Sequence, residues 1–178
     1  ILDATSDISV VSSGGTARAS NMCEEPKYDE LFHLPHGLEG YYDYEQGMAC
    51  ARKLNKPVFL DIKGHACTNC KVMEKNTWSD PKVLKKLREE SVLIALYVDD
   101  KTKLAEEDWV TSSFDGKVKN TIGKKNADFQ ITRFGVNAQP YYVILDHNGE
   151  LLADPVAFEE DVDKYAAFLD EGISAFKK

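Results

Sequence analysis

The chain has 178 residues, of which 43% are hydrophobic and 29% are charged, and its formal net charge at pH 7 is −8. This length and composition are typical of a soluble globular protein with one domain of ordinary size and some extra length. The negative charge disfavours nucleic acid and anionic membrane surfaces as partners, and no apolar run approaches the roughly 18 residues that a membrane-spanning helix needs. We therefore expect no nucleic-acid partner and no membrane insertion by this chain.

The first 37 residues differ in composition from the rest of the chain. Residues 5–21 are rich in Ser, Thr, Gly and Ala and show little apolar periodicity. This pattern predicts a linker or weakly ordered arm over residues 1–37, followed by a folded domain over residues 38–178. An alternative for residues 8–11 is an added edge strand.

From residue 38 onwards, the pattern alternates between strands and helices. In chain order we predict a short strand at 39–42, a helix at 44–54, a buried strand at 57–62, a helix that ends near 76, a helix at 81–88, a buried strand at 92–98, a helix at 126–134, a strand at 141–145 with a hairpin turn into 150–153, and an amphipathic helix at 159–178. Strands that are apolar on both faces and separated by helices indicate a sheet covered on both sides. This order is that of a thioredoxin fold, an α/β architecture with a central mixed sheet flanked by helices. The mostly polar stretch at 99–125 is an enlarged loop after the third strand.

Cys67-Thr68-Asn69-Cys70 follows the buried strand at 57–62 and opens a predicted helix. The order of strand, turn, CxxC and helix is typical of a dithiol redox site. The thiolate of the first cysteine is stabilised at a helix start, because unpaired N–H groups and the positive end of the helix dipole lie there. The second cysteine lies one helical turn further on, close enough to form a disulfide. We therefore predict a redox-active Cys67–Cys70 disulfide.

Other uses of a CxxC are less consistent with the sequence. A zinc site needs four ligands, and no second CxxC or His-x-His completes the set. Covalent haem attachment is disfavoured because Lys71, rather than histidine, follows the motif. Two buried thiols near a helix start are the purely structural alternative. We expect no metal and no organic cofactor.

Three residues near the CxxC are candidates for proton transfer or electrostatic tuning. Asp61 interrupts an apolar strand, and a buried carboxylate with a raised pKa can exchange a proton with Cys70, whereas an Asp facing water at the strand edge is the alternative. Glu74 follows Cys70 by four residues and shares its helix face, unless it is simply an exposed helix residue. His65 can favour the thiolate or contact substrate if it lies close, and otherwise is an exposed loop residue.

Gln139-Pro140 stands directly before a predicted strand. A trans proline is the default at a strand start, but the position of Pro140 in the inferred fold favours a cis peptide that faces the CxxC. The backbone before such a proline can pair with an extended substrate segment. Gln139 and Pro140 are therefore candidate substrate-binding residues.

The two remaining cysteines receive structural interpretations. Cys50 lies in the predicted helix at 44–54, where we expect it to face the core as a small apolar side chain. Cys23 lies in an irregular segment and is interpreted as a stray exposed thiol.

Together these motifs resemble the thioredoxin superfamily over residues 38–178. More narrowly, the sequence is similar to the C-terminal periplasmic domain of the transmembrane thiol:disulfide interchange proteins of the DsbD family. The segments that carry the similarity are 56–61, 67–74, 78–81, 126–127, 133–136 and 139–141. Two positions depart from the expected pattern, since Ala66 replaces the usual aromatic residue before the first cysteine and Gln139 replaces the usual threonine before the proline.

The resemblance implies roles for individual residues. Cys67 attacks a partner disulfide, Cys70 resolves the mixed disulfide, and Asp61 and Glu74 modulate the pKa values of both cysteines. It also implies a periplasmic location as the soluble domain of an inner-membrane protein. The implied partners are proteins with disulfides or dithiols: a transmembrane electron-donor domain, periplasmic isomerases, and thioredoxins of cytochrome c maturation.

The hypothesis from sequence is thus a periplasmic protein-disulfide reductase. One alternative is a thiol oxidase or isomerase with the same residues and the opposite redox poise. A more distant alternative is a non-catalytic thioredoxin-like module that binds a metal or apocytochrome.

Overall fold

The computed structural model describes residues 22–178, so the alternative edge strand at 8–11 lies outside the described residues. The helices are α1 (Tyr44–Leu54), α2 (Thr68–Asn76), α3 (Pro81–Glu89), α4 (Ile122–Phe134) and α5 (Val162–Phe176). The strands are β1 (Val58–Lys63), β2 (Val92–Tyr97), β3 (Val110–Thr111), β4 (Val118–Lys119) and β5 (Tyr141–Leu145). None of the helices within these residues is both long and apolar enough to cross a membrane.

The central sheet has the strand order β2–β1–β5, and β1 pairs in parallel with β2 and antiparallel with β5. Every residue of β1 and β2 is buried, because helices cover both faces of the sheet. Successive side chains of a strand point to opposite faces. Leu60 accordingly packs in one apolar cluster with Met48 of α1, whereas Phe59 packs in another, on the opposite face, with Trp78 and Tyr165. The predicted α/β fold with a mixed, helix-flanked sheet is confirmed.

Most predicted elements are present within three residues of their predicted bounds, and three differ more. Helix α4 begins at Ile122, not at 126, because the Thr121 side chain accepts a hydrogen bond from the Lys124 N–H group and caps the helix there. The predicted strands at 39–42 and 150–153 are each reduced to isolated bridges, since only Tyr41 pairs with β2 and only Leu151 pairs across the turn after β5. The enlarged loop carries a 3₁₀ turn at Glu106–Asp108 and the β3–β4 hairpin.

The N-terminal segment, residues 22–37, packs against the domain. Cys23 forms a disulfide with Cys50 of α1, with 5.6 Å between the Cα atoms. The Tyr41 hydroxyl accepts a hydrogen bond from the Cys23 N–H group at 2.8 Å, and the Phe32 side chain is buried. This corrects the interpretation of Cys23 as a stray thiol. Cys50 is buried as expected, but it is one half of a disulfide. The N-terminal segment packs on α1 and brings Cys23, 27 residues earlier in the sequence, next to Cys50.

Candidate dithiol active site

Cys67 and Cys70 form a disulfide at the N-terminus of α2, with 5.3 Å between their Cα atoms. Cys67 is the N-cap residue of this helix, and its Sγ accepts a hydrogen bond from the Cys70 N–H group at 3.1 Å. Cys67 is partly exposed, whereas Cys70 is only 2% exposed. A partner can therefore reach Cys67 first, and in the reduced state the helix N-terminus stabilises the Cys67 thiolate.

The turn before Cys67 is held by Asp99, which follows β2. One Asp99 carboxylate oxygen accepts a hydrogen bond from the His65 N–H group at 2.7 Å, and the other accepts one from the Ala66 N–H group at 2.9 Å. The contact arises because β1 and β2 are parallel, so that their C-terminal ends meet at one edge of the sheet. The N–H groups of His65 and Ala66 are thereby satisfied, which fixes the backbone that leads to Cys67.

Three charged side chains, Asp61, Lys63 and Glu74, lie together beneath this turn and form the charged cluster. The Lys63 ammonium contacts a carboxylate oxygen of Glu74 and lies 3.9 Å from a carboxylate oxygen of Asp61. Asp61 and Lys63 are buried, at 2% and 5% exposure. The Lys63 ammonium also lies over the ring of Tyr97, 5.1 Å from its centroid. A buried lysine between two carboxylates is stabilised by both of them, which compensates for the loss of its hydration.

The surroundings of Asp61 raise the pKa of its carboxyl group. Neither carboxylate oxygen of Asp61 has a hydrogen-bond partner among the described residues. Burial raises the pKa of Asp61, the Lys63 ammonium lowers it in part and the Glu74 carboxylate raises it, and the net result is a pKa of about 7. Burial alone would lower the pKa of Lys63, but the charges of Asp61 and Glu74 outweigh burial and raise it. Asp61 can therefore take up or release a proton near neutral pH while Lys63 stays charged.

The residues that face Asp61 from β5 and α5 are uncharged. Tyr142 of β5 stands opposite Asp61 in the antiparallel register. Burial raises the pKa of Tyr142 and of Tyr165 above the ordinary tyrosine value, so both remain protonated. The Tyr165 hydroxyl accepts a hydrogen bond from the indole N–H of Trp78 at 3.0 Å. Trp78 thus packs beneath the site.

His65 lies at the rim of the site. Its Nε2 pairs with a carboxylate oxygen of Asp100 at 2.8 Å, and its side chain is 48% exposed. The ring packs at a tilt against Tyr97 and stacks on Phe32, with centroid distances of 4.6 and 5.7 Å. Burial opposes ionisation of Asp100, but its hydrogen bonds from His65 and Thr102 outweigh that effect and lower its pKa. The imidazole is therefore oriented by Asp100 rather than free.

The Gln139–Pro140 peptide bond is cis, as expected from its position in the inferred fold. The Gln139 side chain donates a hydrogen bond to the amide oxygen of Gln130, and the Gln130 side chain donates one to the Ala138 carbonyl, both at 2.8 Å. Gln139 also lines a shallow groove of about 340 Å³ together with Cys67 and Asp99. The groove brings the predicted substrate-binding residue Gln139 and Cys67 to one surface.

The structure therefore gathers the predicted residues around one site and adds two that sequence reasoning did not assign. One is Lys63, which follows Asp61 by two residues and therefore shares its face of β1. Asp99 had a weaker signal, since it is the first acidic residue after β2 and only the parallel pairing brings it to the CxxC turn. Within residues 22–178, no group of three or more side chains is arranged to hold a metal ion.

A family model described as a thioredoxin-like domain matches residues 44–172. The chain belongs to the thioredoxin-like family. This agrees with the predicted superfamily and with the fold. No curated protein matches the sequence significantly.

Several solved structures share this fold. They include DsbH oxidoreductase (TM-score 0.56, 16% identity, covering 80% of this chain and 91% of that one), a thioredoxin from Thermus thermophilus (0.52, 18%, 74% and 85%) and the oxidised DsbD C-terminal domain of Neisseria meningitidis (0.51, 15%, 75% and 99%). At these identities the similarity shows the common fold. The resemblance to the DsbD C-terminal domain is thus confirmed at the level of the fold.

Proposed function

We propose that the chain is a protein-disulfide reductase that acts through Cys67 and Cys70. The observation that carries the proposal is the arrangement of the dithiol pair: a partly exposed Cys67 caps a helix and is bonded to a buried Cys70, next to the charged cluster. Asp61 in that cluster titrates near neutral pH. A solvent-accessible nucleophile, a protected resolving thiol and a nearby proton acceptor are what dithiol–disulfide exchange requires.

The reaction proceeds in two exchanges. In the reduced protein the Cys67 thiolate attacks one sulfur of a partner disulfide, which forms a mixed disulfide and releases the other partner sulfur as a thiolate. Cys70 then gives its proton to the ionised Asp61 carboxylate, directly or through water. The Cys70 sulfur attacks the Cys67 sulfur. The Cys67–partner bond breaks, the partner sulfur leaves and is protonated, and two electrons have moved to the partner. The Cys67–Cys70 disulfide remains, and no cofactor takes part.

We also propose a cellular setting for the chain, which is supported by its sequence similarity to the DsbD family. In that setting the chain is a periplasmic domain of an inner-membrane protein. It is reduced by a transmembrane electron-donor domain and passes electrons to periplasmic isomerases or to thioredoxins of cytochrome c maturation. The groove shared by Cys67 and Gln139 offers a place for an extended partner segment.

Substitution of each cysteine tests the mechanism. We expect Cys67→Ser to abolish insulin reduction and Cys70→Ser to accumulate a covalent complex with the partner. Full turnover by Cys70→Ser would contradict the two-cysteine mechanism. The reduction potential of the pair, titrated against glutathione, tests the direction: a value below about −210 mV supports a reductase, and one above about −150 mV would reverse the proposed electron flow.

A further inference from the structure

We propose that residues 32–36 of the N-terminal segment form a wall of the active site and control the access of water to the charged cluster during the step carried out by Cys70. This inference deepens the proposed function and rests on it. It makes Phe32 and His36 positioning residues, because they act through the charged cluster and the α2 helix rather than on the partner itself.

The first observation is the position of Phe32. Its side chain is 2% exposed, and its ring stacks on Tyr97 with a centroid distance of 4.4 Å. Tyr97 in turn carries the Lys63 ammonium over its ring. The same phenyl ring also stacks on His65, two residues before Cys67. Phe32 therefore supports two groups of the active site from a part of the chain more than thirty residues away.

The second observation is a cavity beside the resolving cysteine. It has a volume of about 390 Å³ and is lined by His33, Leu34 and Pro35 of the segment, and on the domain side by Lys63, Gly64, His65, Cys70, Lys71, Glu74 and Tyr97. The cavity thus joins the buried Cys70 to two members of the charged cluster. Residues 33–35 supply part of its wall, so their position determines how much water reaches Cys70, Lys63 and Glu74.

The third observation is how the segment is attached. The His36 ring donates a hydrogen bond to the Glu74 carbonyl of α2 at 2.6 Å, and Arg88 of α3 donates one to the His36 carbonyl at 3.1 Å. His36 has a φ of 58°, in the left-handed region, which turns the chain at this point. At the other end, the Cys23–Cys50 disulfide joins the segment to α1. The N-terminal segment that carries the wall is therefore fixed to the domain on both sides of it.

The segment is also outside the part of the chain that defines the family. The thioredoxin-like family model matches residues 44–172, so residues 32–36 are an addition to the matched domain. The added segment buries Phe32 against Tyr97 and His65, and these contacts are not part of the matched domain.

The chemistry identifies which step depends on this wall. Cys67 is partly exposed and attacks without crossing the cavity. Cys70 must lose its proton before its sulfur can displace the partner sulfur from Cys67, and the proton goes to the charged cluster. If residues 33–35 moved away, more water would surround Lys63 and Glu74, favour the ionised form of Asp61 beside them and make it a weaker proton acceptor. The wall therefore favours the second exchange and leaves the first largely unaffected.

The two exchanges can be timed separately with Ellman's reagent as the disulfide probe. Reduced protein releases one coloured thiolate when Cys67 attacks and a second when Cys70 resolves the mixed disulfide. We expect Phe32→Leu and His36→Asn to slow the second release by about tenfold at neutral pH and to change the first by less than about twofold. Asn is chosen because it tolerates the left-handed backbone of residue 36.

Leu31→Ala is the matched control, since this neighbouring side chain is 39% exposed and does not line the cavity. It should leave both rates unchanged. An unchanged second release in folded Phe32→Leu and His36→Asn proteins, or an equal slowing of both releases, would overturn the inference. If Phe32→Leu fails to fold, the second-release rate of His36→Asn alone tests the inference, because residue 36 is exposed and its substitution does not disturb the core. A wild-type chain that gives no second release would instead remove the proposed function.

Discussion

At the scale of single residues, Asp61 has the most strongly shifted pKa among the described carboxylates. Its carboxylate is buried, lacks a hydrogen-bond partner among the described residues, and faces the Lys63 ammonium at 3.9 Å. Desolvation outweighs this attraction, so the pKa of Asp61 rises from 3.8 to about 7. The folded state therefore binds a proton that the unfolded state has already released at pH 5 to 7.

Asp61→Asn tests this assignment through the pH dependence of stability. Because the folded-state pKa of Asp61 is raised, the native state binds more protons than the unfolded state between about pH 4 and 7, and wild-type stability falls as pH rises through that window. The amide has no such dependence. We expect the free energy of unfolding of the variant, relative to wild type, to increase by about 2 to 3 kcal/mol between pH 5 and pH 8.

Urea unfolding of the oxidised proteins at the two pH values measures this difference. Asp154→Asn provides the control, because that carboxylate is exposed and should give the same relative stability at both pH values. An Asp61→Asn variant with a pH-independent difference from wild type would show that Asp61 is ionised throughout.

At the scale of secondary-structure elements, the start of α4 determines the position of the loop that holds the CxxC turn. Gly123 lies in the first turn of this helix, and its N–H group donates to the Asp100 carbonyl at 2.9 Å. A Cβ atom at Gly123 would lie 2.6 Å from that carbonyl oxygen and 2.8 Å from the Val98 oxygen. The helix can approach the loop this closely only because residue 123 has no side chain.

Gly123→Ala has two effects on stability, which act in opposite directions. Alanine is favoured over glycine inside a helix by about 1 kcal/mol, but the clash is with backbone atoms that cannot move aside, and overpacking of this kind costs about 1 to 3 kcal/mol. We expect net destabilisation in urea unfolding and a slower attack by Cys67, since Asp99 is in the displaced loop. Lys124→Ala, an exposed change in the same turn, should alter neither quantity. A stabilised Gly123→Ala protein would contradict the close approach.

The same helix shows where sequence reasoning succeeds and where it stops. The bounds of α1 and β5 follow from local pattern alone and agree with the structure. The start of α4 was placed four residues late, because Ile122 and Gly123 resemble loop residues until the packing of Gly123 on Asp100 is known. The CxxC and the cis proline were predicted because motif and fold position fix them. The Cys23–Cys50 bond was missed because spacing alone does not identify the partner of an isolated cysteine.

At the scale of the whole molecule, the two disulfides have different consequences. The Cys67–Cys70 bond closes a separation of 3 residues, whereas the Cys23–Cys50 bond closes a separation of 27 and joins the N-terminal segment to α1. A longer closed loop removes more conformational entropy from the unfolded chain. The bond outside the CxxC is therefore expected to contribute more to stability, while the bond inside it changes during the proposed reaction.

The double variant Cys23→Ala/Cys50→Ala measures that contribution. Loop closure predicts a loss of about 3 to 4 kcal/mol in the free energy of unfolding, against about 1 to 2 kcal/mol for Cys67→Ala/Cys70→Ala. The segment also keeps contacts that do not depend on the bond, such as the hydrogen bond from Gln46 to the Glu25 carbonyl and the burial of Phe32. We therefore expect the Cys23→Ala/Cys50→Ala protein to unfold in one cooperative urea transition, monitored by circular dichroism, with a lower midpoint than that of the wild type. Equal stability of the two double variants would mean that the Cys23–Cys50 bond does not constrain the unfolded chain as its loop length requires.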